Sequence, residues 1–131
     1  NMIHALKFGA LLHKGFHRDA TIMTAEKVLE MATIDGARAI ALDHEIGSIE
    51  VGKKADLVVL NFDNFFAMPM HSPTSTLVYS ALGNEPELVM IDGQVVMRDR
   101  RMVTVSESEV MRESQVAADG LAKRAGTDRL K

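Results

Sequence analysis

The stretch Ile46-Gly47-Ser48-Ile49-Glu50-Val51-Gly52-Lys53-Lys54-Ala55-Asp56-Leu57-Val58-Val59-Leu60 marks a change of period in this chain. Before it, apolar residues recur at helical spacing. Within it, two glycines punctuate a short Ile49/Val51 alternation, and after it comes the first strand-like run, Leu57 to Leu60. Helical sequence ends here and sheet begins. Because Leu57 to Leu60 is apolar on both faces, it is expected inside a sheet, with strands on both sides.

Upstream, Met2 to Lys14 reads as a helix buried on most sides. Its polar residues His4, Lys7 and Lys14 share one narrow sector, while Met2, Ile3, Ala5, Leu6, Phe8, Ala10, Leu11 and Leu12 cover the remainder. Gly15 is expected to end it. His13 and His17 stand at i and i+4, a spacing that brings two imidazoles to one metal. Gly15 lies between them, no Glu follows His13, and the helix is expected to stop before His17, so both read as surface or helix-end histidines. His4, His44 and His71 are isolated and read as solvent or packing residues. Thr24 is an N-cap with Glu26 in the positive first turn and an apolar stripe on Val28, Leu29, Met31 and Ala32. A second short helix, Asp35 to Leu42, carries Gly36, Ala37, Ala39 and Ala41, small residues that let backbones approach closely.

Gly47 to Lys53 spells G-x-x-x-x-G-K, the phosphate-loop pattern. That motif needs a strand before it, a helix after it, and a hydroxyl following the lysine to reach magnesium. Here the helix comes first, the strand follows, and Lys54 occupies the hydroxyl's place. Downstream, Ser72-Pro73 starts a helix expected to run through Leu77, Val78 and Ala81 to a stop near Gly83. Glu87 to Arg98 is a hairpin turning at Asp92-Gly93, with Met90 expected opposite Val95, Leu88 opposite Met97, Glu87 opposite Arg98 and Val89 opposite Val96. Met102 to Val105 is a candidate further strand. The last helix opens on the capping box Ser106-x-x-Glu109 with a stripe of Val110, Ser114, Ala117 and Leu121, and beyond Gly126 a polar, frayed tail is expected.

With 131 residues, one domain is the starting expectation, yet 5% aromatic content and no Trp is thin for a chain closing its own core. A partner surface is therefore expected. A formal charge of −3 and short basic clusters (Arg98 with Arg100 and Arg101; Lys123 with Arg124) leave no electrostatic footprint for nucleic acid. The absence of cysteine excludes disulfides and thiolate metal sites. No apolar run long enough to span a membrane and no leader pattern is seen, so no membrane partner is expected and cytoplasm is the default. The first residue is Asn1, consistent with a tag scar before Met2 or a piece of a longer chain.

The words Gly47-Ser48-Ile49, Gly52-Lys53-x-Ala55-Asp56-Leu57-Val58, Leu77-Val78-Tyr79 and Ile91-Asp92-Gly93 before Val95-Val96, together with Met31-Ala32-Thr33-Ile34-Asp35-Gly36-Ala37-Arg38-Ala39, carry a resemblance. In this order they resemble the C-terminal portion of metal-dependent amidohydrolases of the methylthioadenosine/adenosylhomocysteine deaminase and triazine hydrolase subgroup, from about Leu6 to Arg101. The departures, Asp35 for Asn, Val51 for Pro and Arg100 for Gly, fall at turns and caps. The resemblance implies an α/β fold: the last helices of a TIM-type (β/α)8 barrel (1–45), part of a small composite β-sandwich with one inserted helix (46–105), and a C-terminal helix and tail (106–131). It also implies a parent hydrolase acting on C–N or C–Cl bonds of a small heterocycle, with a divalent metal, zinc or iron, activating water at the C-terminal ends of barrel strands. The ligand histidines, the general acid and the metal-binding Asp of that pattern have no matching position here. No catalytic and no metal-binding residue is therefore assigned to this chain, and its substrate-binding residues are unassigned. A complementing N-terminal segment or a second copy is the expected partner. A non-catalytic structural or oligomerisation module derived from such an enzyme, and a nucleotide-binding protein using Gly52 and Lys53, stand as the alternatives.

Overall fold

Asn1 caps the first helix, its Oδ1 accepting the Ile3 amide at 3.0 Å, and α1 runs Met2–His17 in the computed structural model, which describes residues 1–127. The expected tail beyond Gly126 falls mostly outside those residues. The helix passes through Gly15, contrary to expectation, and so includes His17. Glycine inside a helix costs about 1 kcal/mol relative to alanine, and the exit supplies the compensating contacts. Arg18 takes a left-handed conformation whose N–H reaches the carbonyls of Gly15 and Lys14, and Lys14 Nζ donates to Ala20 O and Ile22 O, both at 2.6 Å.

Two further helices, α2 (Ala25–Ala32) and α3 (Ile34–Ala39), follow, with Thr24 capping α2 as expected through its hydroxyl and the Lys27 amide at 3.2 Å. The capped turn after Ser72 is split: α4 (Pro73–Ser75) continues as a wider π turn, Thr76–Ser80, and the chain becomes extended at Ala81. The buried cluster Leu6, Ala10, Ala25, Val28 and Val78 joins these helices. Only one stripe of α1, on Ile3, Leu6 and Ala10, is buried within this chain, whereas Phe8 is 67% and Phe16 81% exposed. The expectation of a helix buried on most sides is therefore not met by the chain alone.

The strands β1 (Leu57–Leu60), β2 (Pro86–Ile91), β3 (Gln94–Arg98) and β4 (Arg101–Met102) form one antiparallel sheet in that order. Among the described residues β1 pairs with β2 alone, so it lies at an edge and not between two strands; Val58 and Val59 stand exposed. Asp92 and Gly93 both take positive φ, 49° and 77°, the pair of values a two-residue type I′ turn requires. Its tip is tied to the end of the preceding connection, because Asp56 Oδ1 accepts the Asp92 amide at 2.7 Å and Ala55 O accepts that of Gly93 at 3.2 Å.

Register follows expectation at Met90 opposite Val95 and then departs from it. A bulge sets Val89 opposite Met97 and Leu88 opposite Arg98, leaving Val96 as the extra residue. The Val96 carbonyl instead accepts the Val103 amide at 3.0 Å, which draws the segment after β4 against β3. Finally, α5 (Glu107–Ala125) starts at Ser106, whose Oγ accepts the Glu109 amide at 3.4 Å. Its stripe of Val110, Ala117 and Leu121 is exposed.

Packing runs helix to helix and strand to strand, and the two layers meet mainly through the connections that join them. In the first, Gly47 (φ 92°) passes so close to α3 that an added Cβ would lie 2.7 Å from the Ala37 Cβ and 3.0 Å from the Ile34 Cα. Ala37, one of the small residues of α3, thus serves the approach of this connection. Lys53 is folded inward, its Nζ on Asp43 O and Ser48 Oγ at 2.5 and 2.6 Å and on Glu50 at 3.2 Å, so the lysine of the phosphate-loop pattern is a clamp for this loop.

Two outcomes are expected. Gly47→Ala should cost about 2–5 kcal/mol, from left-handed strain of about 1–2 plus overpacking of about 1–3. Gly52→Ala, at φ 96° with open space around it, should cost only the strain, and chemical denaturation of both variants checks the difference. The chain alone, with Met2, Phe8, Leu11, Leu12 and Phe16 exposed on α1 and an open β1 edge, should scatter light as a dimer or larger at micromolar concentration. A monodisperse, cooperatively melting monomer that binds no hydrophobic dye would contradict it.

Candidate functional site

The five histidines do not converge. His4 Nε2 lies 3.0 Å from Leu82 O; His13 and His17 stack near the end of α1 with ring centroids 6.3 Å apart; His44 Nε2 is 3.4 Å from Glu45 Oε1; His71 is exposed in the segment before α4. Among the described residues no group of three or more His, Asp or Glu side chains is placed to hold a metal. A pair on one helical face leaves a divalent ion short of the three protein ligands of a catalytic zinc site. The side chains described here do not fit a catalytic metal, and no chemical step is assigned to them.

Two features remain. The first is a cleft of about 660 Å³ between the helical layer and the sheet, with Ile3, Leu6, Leu29, Leu57, Val58 and Val89 among the residues on its walls. Its lining is dominantly apolar, and Asn1, Thr33, Ser48 and Asp56 are its polar members. Such a surface suits packing of apolar side chains better than recognition of a polar heterocycle, which needs several convergent donors and acceptors.

The second is a polar clasp formed by the Ala81–Glu85 loop and the start of α1, whose Gly83 and Asn1 also line that cleft. Glu85 is 1% exposed, and its two carboxylate oxygens each accept a backbone amide at 2.7 Å, Oε1 from Leu82 and Oε2 from Gly83. Folded this way, the loop turns the carbonyls of Ala81 and Leu82 towards α1, where Lys7 Nζ (3.5 Å) and His4 Nε2 (3.0 Å) meet them. Gly83 (φ 92°) lies flat against the Asn1 side chain, and an added Cβ would fall 1.7 Å from Nδ2. The Glu85 carbonyl accepts the Asn61 amide at 2.9 Å, joining the loop to the end of β1. Sequence reading singled out His4 without its partner and passed over Glu85. The available signal was an acid set between Gly83-Asn84 and Pro86, a turn composition in which a carboxylate serves backbone amides.

Burial would by itself raise the Glu85 pKa, but the backbone amides of Leu82, Glu85, Gly83 and Asn84 outweigh it and hold the carboxyl below the ordinary glutamate value. Asp35 and Glu45, by contrast, are lowered by exposed lysine partners, Lys27 and Lys54 respectively, and such pairs contribute little.

Residues 1–96, spanning α1 through most of the hairpin, match the sequence model of the Amidohydrolase family. The chain belongs to that family. Amidohydrolases similar to it include the S-triazine hydrolase of Gordonia rubripertincta, 49% identical over 100 residues that make up 76% of this chain and 21% of the relative. The 5-methylthioadenosine/S-adenosylhomocysteine deaminase of Acetivibrio thermocellus is 41% identical over 110 residues, 84% of this chain and 26% of the relative. Among solved structures, an adenosine deaminase from Xanthomonas campestris with bound zinc superposes with a TM-score of 0.90 at 31% identity, over 93% of this chain and 28% of that one. A triazine hydrolase variant shares the fold at a TM-score of 0.81 and 24% identity. The fold is thus α/β of the amidohydrolase type, and the chain spans roughly a quarter of the length of these relatives. No described helix is long and apolar enough to cross a membrane.

The sign of the Glu85 linkage follows from its lowered pKa. Its contribution to stability is present above the ordinary glutamate pKa of about 4.3 and is lost as pH falls through the lower, folded-state value. The melting temperature of the parent should therefore fall more steeply than that of Glu85→Gln between about pH 5 and about pH 3. Parallel curves across that window would show that the carboxylate is not held as described.

Proposed function

We propose that this chain forms the C-terminal part of an amidohydrolase that removes an amino or halide substituent from a small heterocycle by hydrolysis. In this reading residues 1–45 complete the helical ring of a (β/α)8 barrel, residues 46–105 contribute part of a composite β-sandwich with one inserted helix, and residues 106–131 are the C-terminal helix and tail. The parent holds a divalent metal, zinc or iron, on residues outside this chain. The observation that carries the proposal is the match of nearly the whole described chain to the zinc-bound adenosine deaminase structure, combined with a histidine set that does not converge.

What this chain contributes is then mechanical. Its apolar cleft and the open edge of β1 accept the remaining strands of the same protein, and the exposed side of α1 accepts neighbouring barrel elements. Burying each large side chain on these faces contributes roughly 1.5–3 kcal/mol, which is large against a net stability of about 5–15 kcal/mol.

A hybrid tests this directly. Residues 1–131 replace the corresponding segment of the Acetivibrio thermocellus deaminase, and ammonia release from methylthioadenosine is measured. The hybrid should turn over in a chelator-sensitive manner, while the 131 residues alone should neither retain stoichiometric zinc nor release ammonia. Chelator-sensitive turnover by the chain alone would overturn the proposal. A folded, inactive hybrid would favour a non-catalytic module instead.

A further inference from the structure

The clasp does something that neither layer's packing does. The helices share one buried cluster, the strands share backbone ladders, and between them lies the open cleft. The placement of α1 against the sheet therefore depends on the connections, and the Ala81–Glu85 loop is the connection that touches α1 directly. We propose that Glu85 is a positioning residue, whose buried carboxylate folds this loop into the receptor for the first two turns of α1 and so sets where α1 begins relative to β1 and β2.

Three independent contacts cross from the loop to α1: Gly83 against the Asn1 side chain, Leu82 O to His4, and Ala81 O to Lys7. Each is made by a backbone group whose direction is set by the two amides that Glu85 holds. Both carboxylate oxygens are occupied, so glutamine, which has one acceptor and one donor, loses one bond and turns an N–H towards another N–H. Burial excludes water as a replacement partner, which makes the loss costly. The inference rests on the proposed reading in one respect: if this chain places its layers for catalytic groups carried elsewhere in the protein, a displaced α1 should cost turnover more than substrate affinity.

The experiment has two arms. In the 131-residue chain, hydrogen exchange of the Ile3 and Ala5 amides and the ring nitrogen shifts of His4 are followed by NMR in parent, Glu85→Gln, Glu85→Asp and Gly83→Ala. Glu85→Gln should speed exchange at Ile3 and Ala5 by at least about tenfold, as a local opening does, and remove the bonded Nε2 signature of His4. Amides of the Met90 and Val95 hairpin should keep their protection. Glu85→Asp, which retains both acceptors, should recover most of the loss. Gly83→Ala, which crowds Asn1 and strains the loop at φ 92° where the Gly83 amide meets the carboxylate, should reproduce the loss, and Glu85→Asp decides the matter if Glu85→Gln fails to fold. Unchanged α1 protection and an unchanged His4 ring in the folded variants would overturn the inference. In the hybrid enzyme, Glu85→Gln should lower kcat on the order of tenfold with KM nearly constant. An inactive parent hybrid would count against the proposed function alone, since the exchange arm judges the clasp without it.

Discussion

The carboxylate of Glu85 and the two amides it holds are the point on which the arrangement of this chain turns. Elsewhere each layer is self-consistent: the helices bury Leu6, Ala10, Ala25, Val28 and Val78 together, and the strands pair in sequence order. Neither set of interactions fixes one layer against the other. That task falls to short polar and steric contacts in the connections, the Glu85 clasp at one place and the close passage of Gly47 over Ala37 at another. Asp56 plays a related part within the sheet, where its carboxylate ties the hairpin tip to the strand that follows it in sequence. The Ala55-Asp56-Leu57 word thus has a physical reason: an anchor for the turn, set immediately before an edge strand.

Beside these contacts, many large apolar side chains stay uncovered. A self-contained domain of this size would turn Phe8, Phe16, Val58 and Val59 inward; here they line surfaces that face outward.

Much of the secondary structure was legible because it is decided locally. Thr24, Ser72 and Ser106 announce their helices through hydroxyls that reach amides three residues on, and Asp92-Gly93 announces its turn through backbone conformations few other pairs tolerate. The family was legible in the same way, through short words at turns. What was not legible depends on contacts made outside the element concerned. The continuation of α1 past Gly15 follows from Lys14 capturing two carbonyls of the exit loop. The bulge at Val96 accompanies a hydrogen bond from the Val103 amide to its carbonyl, and no alternation rule applied to the hairpin alone contains that information. Glu85 was missed for the same reason: its importance lies in α1, more than seventy residues away in sequence. Among candidate site residues, His13 and His17 were set aside partly on a helix end before His17 that the structure does not have, and the positions that matter mechanically emerged only from the contacts.

The most direct test of the account compares backbone hydrogen exchange across Leu57–Leu60 in the 131-residue chain and in the hybrid enzyme. If the chain is a part whose cleft and β1 edge are completed by the rest of the protein, amides of this strand that do not bond to β2 should exchange rapidly in the chain alone and become strongly protected in the hybrid, while those of the Asp92-Gly93 hairpin change little. Equal and high protection of the whole strand in both proteins, with the chain monomeric, would contradict it.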